Sequence, residues 1–238
     1  MAPGAAPPWP RLGGADFRGA VGAKGLRAVL EERGGLVQVV DFLPDASARA
    51  ALEALRSLPD GEWELSANRG SLDASHRFLR YAGPKVQAQK QALMGLAPHL
   101  FPVFNAARYD AGGRITLHND AKTWVVQPEE AQGDRYPSGV TTYRKIALIW
   151  YLTEDWKEEY GGGLVDNMAD GPRMLVPQFN SLVAFLVPRE HWVTEVADGA
   201  PRRFTLFGWL CDTDPYPDGL PLPLGSGNRG PGAAAAAE

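Results

Sequence analysis

The apolar positions of the chain change their period near residue 100. Before that point they fall at helical intervals. Phe17 to Arg33 carries Val21, Leu26, Val29 and Leu30 at helical spacing and ends at Gly34-Gly35. Asp45 is placed to cap a helix over residues 46–58, whose inner face is Ala51, Leu52, Leu55 and Leu58. Pro84 opens another helix, to Leu96, with Val86, Leu93 and Leu96 turned inward. Two strands interrupt these helices, a Val-rich one over Leu36 to Phe42 and a short one over Gly61 to Ser66.

After residue 100 the pattern shortens and alternates. Strands are predicted over 103–109, 114–120, 144–152, 163–166, 181–187, 192–196 and 202–211, each bounded by Gly, Pro, Asp or Asn. Helices followed by strands indicate an α+β protein, and the strand portion is long enough for a double-sheet jelly roll. The expected organisation is one domain over 15–215, helical to about residue 100 and jelly roll over 101–212. Residues 1–14 read as a disordered extension and 222–238 as a disordered, Gly- and Ala-rich tail. Between Ala121 and Tyr143 lies a long segment that reads as a lid or substrate-recognition loop carrying a small hairpin, with a tolerated surface insertion as the alternative.

Composition adds little to this picture but removes several classes. The hydrophobic fraction of 45% and charged fraction of 22% are those of an ordinary globular protein. A net charge of −4 argues against a nucleic-acid backbone or an anionic membrane as partner. No stretch is long and apolar enough for a membrane span. The single Cys211 excludes an intrachain disulfide and suits a reducing compartment, so the cytoplasm is expected. An organellar location through an N-terminal transit segment is the alternative.

The candidate chemistry begins at His118-Asn119-Asp120. On a strand, residues two apart share a face at roughly 6–7 Å, so His118 and Asp120 are expected to project together. An imidazole and a carboxylate side by side are two ligands of a facial 2-His-1-carboxylate site, which leaves open positions for chemistry. His191, just past a strongly apolar strand, is the candidate third ligand. On the last strand Arg203, Thr205, Phe207 and Trp209 alternate and therefore share one face. An inward Arg on an apolar strand is costly without an anion, and a guanidinium suits a carboxylate.

These motifs, in this order, resemble the iron(II)- and 2-oxoglutarate-dependent dioxygenases, and among them the prolyl 4-hydroxylase-like branch. Tyr109-x-x-Gly112-x-x-Ile115-x-x-His118-x-Asp120 is similar to the branch's ligand strand. Arg144 to Trp156, with Tyr151-Leu152, resembles the strand that follows, and Gly161 to Leu164 the Gly-Gly turn after it. Pro177 to Phe185 and Arg189-x-His191-x-Val193-x-x-Val196 resemble the late strands. The resemblance covers about residues 41–212. It implies a double-stranded β-helix with helices packed on one sheet.

The resemblance further implies Fe(II) held by His118, Asp120 and His191, 2-oxoglutarate as cosubstrate, and ascorbate as a candidate accessory. Arg203 resembles the residue that pairs with the distal carboxylate of 2-oxoglutarate, Tyr151 a hydrogen-bond donor to it, and Tyr109 a tyrosine near cosubstrate and iron. Arg144 matches a position that holds substrate in some relatives, and Trp209 a pocket-wall aromatic. The spacing of twelve from His191 to Arg203 is longer than usual in the branch, with Gly199-Ala200-Pro201 as the turn that absorbs it. Arg202 is therefore the alternative anchor, and Arg203 is favoured by its parity with Trp209.

The implied reaction is hydroxylation of prolyl residues in a protein or peptide, with O₂ consumed and succinate and CO₂ released. Trp124, Trp150 and Trp192 are candidate flat surfaces for a proline ring. Hydroxylation of another side chain or a small metabolite, a non-catalytic metal-binding jelly roll, and a hydrolytic zinc site are the alternatives.

Overall fold

The computed structural model describes residues 10–66, 74–80, 84–167 and 171–217. In chain order the elements are β1 (Arg11–Gly13), α1 (Gly14–Lys24), α2 (Leu26–Glu31), β2 (Leu36–Val40), α3 (Asp45–Arg56), β3 (Glu64–Leu65), β4 (Ala74–Ser75) and β5 (Arg77–Arg80). There follow α4 (Gln87–Met94), β6 (Phe101–Tyr109), β7 (Arg114–His118), β8 (Thr123–Val125) and β9 (Thr141–Tyr151). The chain closes with β10 (Leu164–Asp166), β11 (Arg173–Leu175), β12 (Ser181–Leu186), β13 (His191–Val193) and β14 (Arg203–Asp212).

The strands form two sheets. The major sheet runs β1-β2-β12-β9-β14-β6-β5-β3, with β8 paired to β9, and the minor sheet runs β11-β10-β13-β7-β4. The two sheets face one another as a double-stranded β-helix and do not close into a barrel. One surface of the major sheet carries the helices. Phe17, Leu26, Leu30, Leu52, Leu55 and Leu93 pack there against Leu148, Trp150, Leu182 and Leu206 in a continuous apolar core. The other surface faces the minor sheet.

Several predicted boundaries move for local reasons. The first predicted helix is two, broken at Gly25, whose φ of 85° suits a residue without Cβ. Asp45 does not cap α3; Pro44 is the cap, and Asp45 lies in the first turn, paired with Arg49. The 61–66 strand shrinks to β3 because a 3-10 turn takes residues 60–62. Residues 11–13, assigned to the N-terminal extension, instead form β1, which pairs in parallel with β2. The rest of that extension (1–9) and the 222–238 tail lie outside the described residues.

The 121–143 segment is anchored rather than free. Trp124 pairs with Thr142 across β8 and β9, and Gln132 bridges Tyr136. Val126 and Tyr136 are buried against Phe101, Val103 and Cys211. The Tyr136 hydroxyl donates to the His99 carbonyl at 2.9 Å. The predicted hairpin is present, with Val126 and Tyr136 packing its loop onto the sheet, and Lys122 and Trp124 are the parts of it that reach the cavity.

Asn180 ties the late strands to the helical layer. It sits at φ 57°, a conformation Asn tolerates better than most residues. Its side chain donates to the Leu43 carbonyl at 2.7 Å and accepts from Trp150 Nε1 at 3.2 Å. Trp150 is therefore a core residue, fully buried on the helix side, and not a surface for substrate.

Candidate active site

Sheet register brings the two histidines together. β13 runs antiparallel to β7 with His191 directly opposite His118, so residues seventy-three apart in the chain meet as a cross-strand pair with ring centroids 4.2 Å apart. Asp120 arrives by a different route from the one its spacing suggests. β7 ends at His118, and Asp120 lies beyond it at φ 62°. The Asn119 side chain accepts a hydrogen bond from the Ala121 N–H at 3.0 Å, forming the local turn that turns Asp120 inward. Its Oδ1 lies 3.6 Å from His118 Nε2 and its Oδ2 3.6 Å from His191 Nε2.

The three donors lie within 4.8 Å of one another. Each imidazole has its Nδ1 against a backbone carbonyl, His118 to Thr116 at 2.8 Å and His191 to Arg189 at 2.7 Å. That bond fixes the Nδ1–H tautomer and leaves Nε2 with a lone pair aimed at the common point. Burial pushes the His118 imidazole down to about 4, so it is neutral at pH 7 and able to coordinate. Burial works against the Asp120 carboxylate, but His191, His118 and Arg144 outweigh it and hold the acid below its ordinary range. Two imidazoles and one carboxylate on one side of a point are the donor set of a non-haem Fe(II) centre.

The loop that presents His191 is clamped. Arg189 donates from Nε and Nη2 to the two oxygens of Asp166 at 2.7 and 2.8 Å, and from Nη1 to the Gly34 carbonyl. Asp166 is buried and Arg189 partly so, and the backbone N–H of Arg189 reaches the Asn119 carbonyl at 3.2 Å. The sequence motif contains Arg189, but its partner Asp166 is visible only through the pairing of β10 with β13.

Beyond the triad the cavity extends along the major sheet, with a volume of about 320 Å³, within the range of small-ligand sites. Arg203, Thr205, Phe207 and Trp209 all face it, as their parity requires. Arg203 stands opposite Tyr109 in the β14–β6 register, and its guanidinium lies 3.9 Å over that ring and 5.5 Å from the Tyr151 ring. It also donates to the Gly162 carbonyl. The turn that supplies this carbonyl needs glycine: at Gly161, φ is 65° and a Cβ would lie 2.0 Å from the Glu195 carbonyl oxygen.

Arg202 points the other way. It is exposed and pairs with Asp60 and Asp110, so of these two neighbours Arg203 is the one that faces the cavity. Burial raises both phenols, Tyr109 to about 12, and keeps them as hydroxyl donors.

At the triad end Arg144 lies 3.6 Å from Asp120 and its guanidinium sits 3.4 Å over the Trp209 ring. Trp124 is at the cavity margin. Trp192 does not line the cavity. His76, which no sequence pattern marks, does.

A double-stranded β-helix holding a facial His-Asp-His site with a buried arginine across the same cavity defines the non-haem oxygenase class. Residues 104–211, a little under half of the chain, match the model of the 2OG-Fe(II) oxygenase superfamily. Fe(II) and 2-oxoglutarate are the metal and cosubstrate of this family.

Solved structures share the fold. A Pseudomonas putida prolyl-4-hydroxylase superimposes with a TM-score of 0.58 at 24% identity over 79% of this chain and 98% of that one. A Trichoplax adhaerens prolyl hydroxylase, in complex with a hypoxia inducible factor oxygen degradation domain peptide fragment, gives 0.62 at 14% identity over 83% and 91%. The non-haem alpha ketoglutarate dependent epimerase SnoN of nogalamycin biosynthesis gives 0.57 at 14% over 92% of both chains. Comparison with curated protein sequences gives no match. No helix among the described residues is long and apolar enough to cross a membrane.

Proposed function

We propose that the protein hydroxylates prolyl residues of a protein or peptide. The observation that carries this reading is the placement of the triad and Arg203 at separate points of one cavity. The fold likeness to prolyl hydroxylases from two organisms supports the choice of substrate class. His118, Asp120 and His191 hold Fe(II). When bound, the metal and 2-oxoglutarate supply O₂ activation and the oxidising power for C–H hydroxylation, with release of succinate and CO₂.

The chain's own residues orient the reactants and keep water out. Arg203 would pair with the distal carboxylate of 2-oxoglutarate, a group that a planar guanidinium suits. Tyr151 would donate its hydroxyl to the same carboxylate, and Tyr109 closes the adjacent wall. The Gly162 carbonyl and the Tyr109 ring fix the Arg203 rotamer before the cosubstrate arrives, so little ordering cost falls on binding. Arg144, stacked on Trp209, faces the substrate side of Asp120, and Trp124 offers a flat surface for an approaching proline ring.

A panel of proline-containing peptides, incubated with protein, Fe(II), ascorbate, O₂ and 2-oxoglutarate, tests the substrate class. A gain of one oxygen on proline, dependent on 2-oxoglutarate and matched by succinate, is expected. Succinate formation stimulated by small metabolites and by no peptide would instead place the protein beside oxygenases of small molecules such as SnoN, whose fold it shares.

A further inference from the structure

His76 lies in the one-residue gap between β4 and β5, where the chain crosses from the minor sheet to the major sheet. Ala74 pairs with Ile115 on one side and Arg77 with Arg108 on the other. The crossing turns the imidazole into the cavity, where it is 9% exposed. It stacks on Tyr109 at 4.9 Å with the planes 13° apart and meets Phe207 edge-on at 6.4 Å.

These ring contacts fix its orientation but satisfy no nitrogen. Nδ1 is buried and has no hydrogen-bond partner among the described residues. Native structures seldom leave such a nitrogen unpaired, and at a cavity wall its partner is a water or a bound ligand. His76 is also within electrostatic reach of both Arg203 and His118. Those two residues mark the two ends of the space assigned above to 2-oxoglutarate, which spans from the metal ligands to the guanidinium.

We propose that His76 is a cosubstrate-binding residue whose Nδ1 hydrogen-bonds to bound 2-oxoglutarate, from the wall between the iron ligands and Arg203. This rests on the assignment of the cavity to 2-oxoglutarate. A histidine at this crossing gives the polar contact while its ring preserves the stack on Tyr109. A phenylalanine would keep the stack alone.

Calorimetric titration of 2-oxoglutarate into the full chain loaded with Mn(II), without peptide or turnover, tests the inference. His76→Phe should weaken binding by roughly 10- to 100-fold, the range for a hydrogen bond to a charged group. His76→Asn, which keeps a polar atom near the Nδ1 position, should recover most of the loss. A second measurement needs no variant: in the Zn(II)-loaded wild type, the His76 ring nitrogen resonances should move when 2-oxoglutarate is added. If His76→Phe folds and binds like the wild type, or if those resonances stay put while 2-oxoglutarate binds, the assignment of His76 is wrong. Absence of binding to the wild type would overturn the reading of the whole cavity, and this assignment with it.

Discussion

Strands β9, β12 and β14 present two unlike surfaces from one backbone. On the helix side stand Leu148, Trp150, Leu182, Ala184, Phe204 and Leu206, all buried and packed against helices. On the cavity side β9 and β14 carry Tyr151, Arg203, Thr205, Phe207 and Trp209, with buried polar groups among aromatic rings. Alternation along a strand separates these duties by a single residue. A change at one position should therefore cost stability without touching cosubstrate binding, and a change at its neighbour should do the reverse.

The largest expected effect tests the helix side. Trp150→Ala removes a fully buried ring and its hydrogen bond to Asn180, and should destabilise the fold by about 3–5 kcal/mol in urea unfolding. The fraction that remains folded should bind 2-oxoglutarate as the wild type does. On the cavity side, Arg203→Ala should raise the 2-oxoglutarate requirement by roughly 30- to 5,000-fold, from the 2–5 kcal/mol lost when one partner of a buried charge pair is removed. Its urea midpoint should move far less than that of Trp150→Ala. An Arg203→Ala variant that unfolds readily and still saturates at wild-type cosubstrate would break the division between the two faces.

pH offers a smaller test of the cavity side. Burial holds the folded His76 at about 4, against 6.5 for the free side chain. Between those values the unfolded chain carries a proton that the folded chain refuses, so stability falls as pH drops from about 6.5 towards 4 and is fully present above that window. The contribution is about 3 kcal/mol across the whole window. Urea midpoints measured from pH 7 to pH 5 should fall less steeply for His76→Phe than for the wild type. The smallest effect belongs to Arg202→Ala: an exposed side chain in surface ion pairs, it should leave both stability and cosubstrate requirement at wild-type values.

Much of this was legible in the sequence because it depends on local period. The inner faces of α3 and α4 and the parity of Arg203 with Trp209 follow from spacing alone. So does the pairing of a helical first part with a strand-rich second part. What spacing cannot carry is register between distant strands. His191 meets His118 because β13 pairs with β7, and Arg189 finds Asp166 because β10 pairs with β13. Neither pairing leaves a periodic trace.

Asp120 was predicted as an inward ligand for the wrong local reason. The strand stops two residues short, and a left-handed turn set by Asn119 does what alternation was expected to do. Strand β1 was hidden in an Ala-, Pro- and Gly-rich stretch because parallel pairing to β2 is a long-range gain. His76 gave no signal at all: a lone histidine between two very short strands acquires meaning only when the sheets are assembled around it.

On this reading His118, Asp120 and His191 form one metal site that presents Fe(II) to 2-oxoglutarate. Anaerobic protein given Fe(II) and then titrated with 2-oxoglutarate tests it most directly. The wild type should develop a weak visible charge-transfer band that saturates with cosubstrate, and Asp120→Ala should show none. Identical spectra for the two proteins, with or without a band, would contradict it.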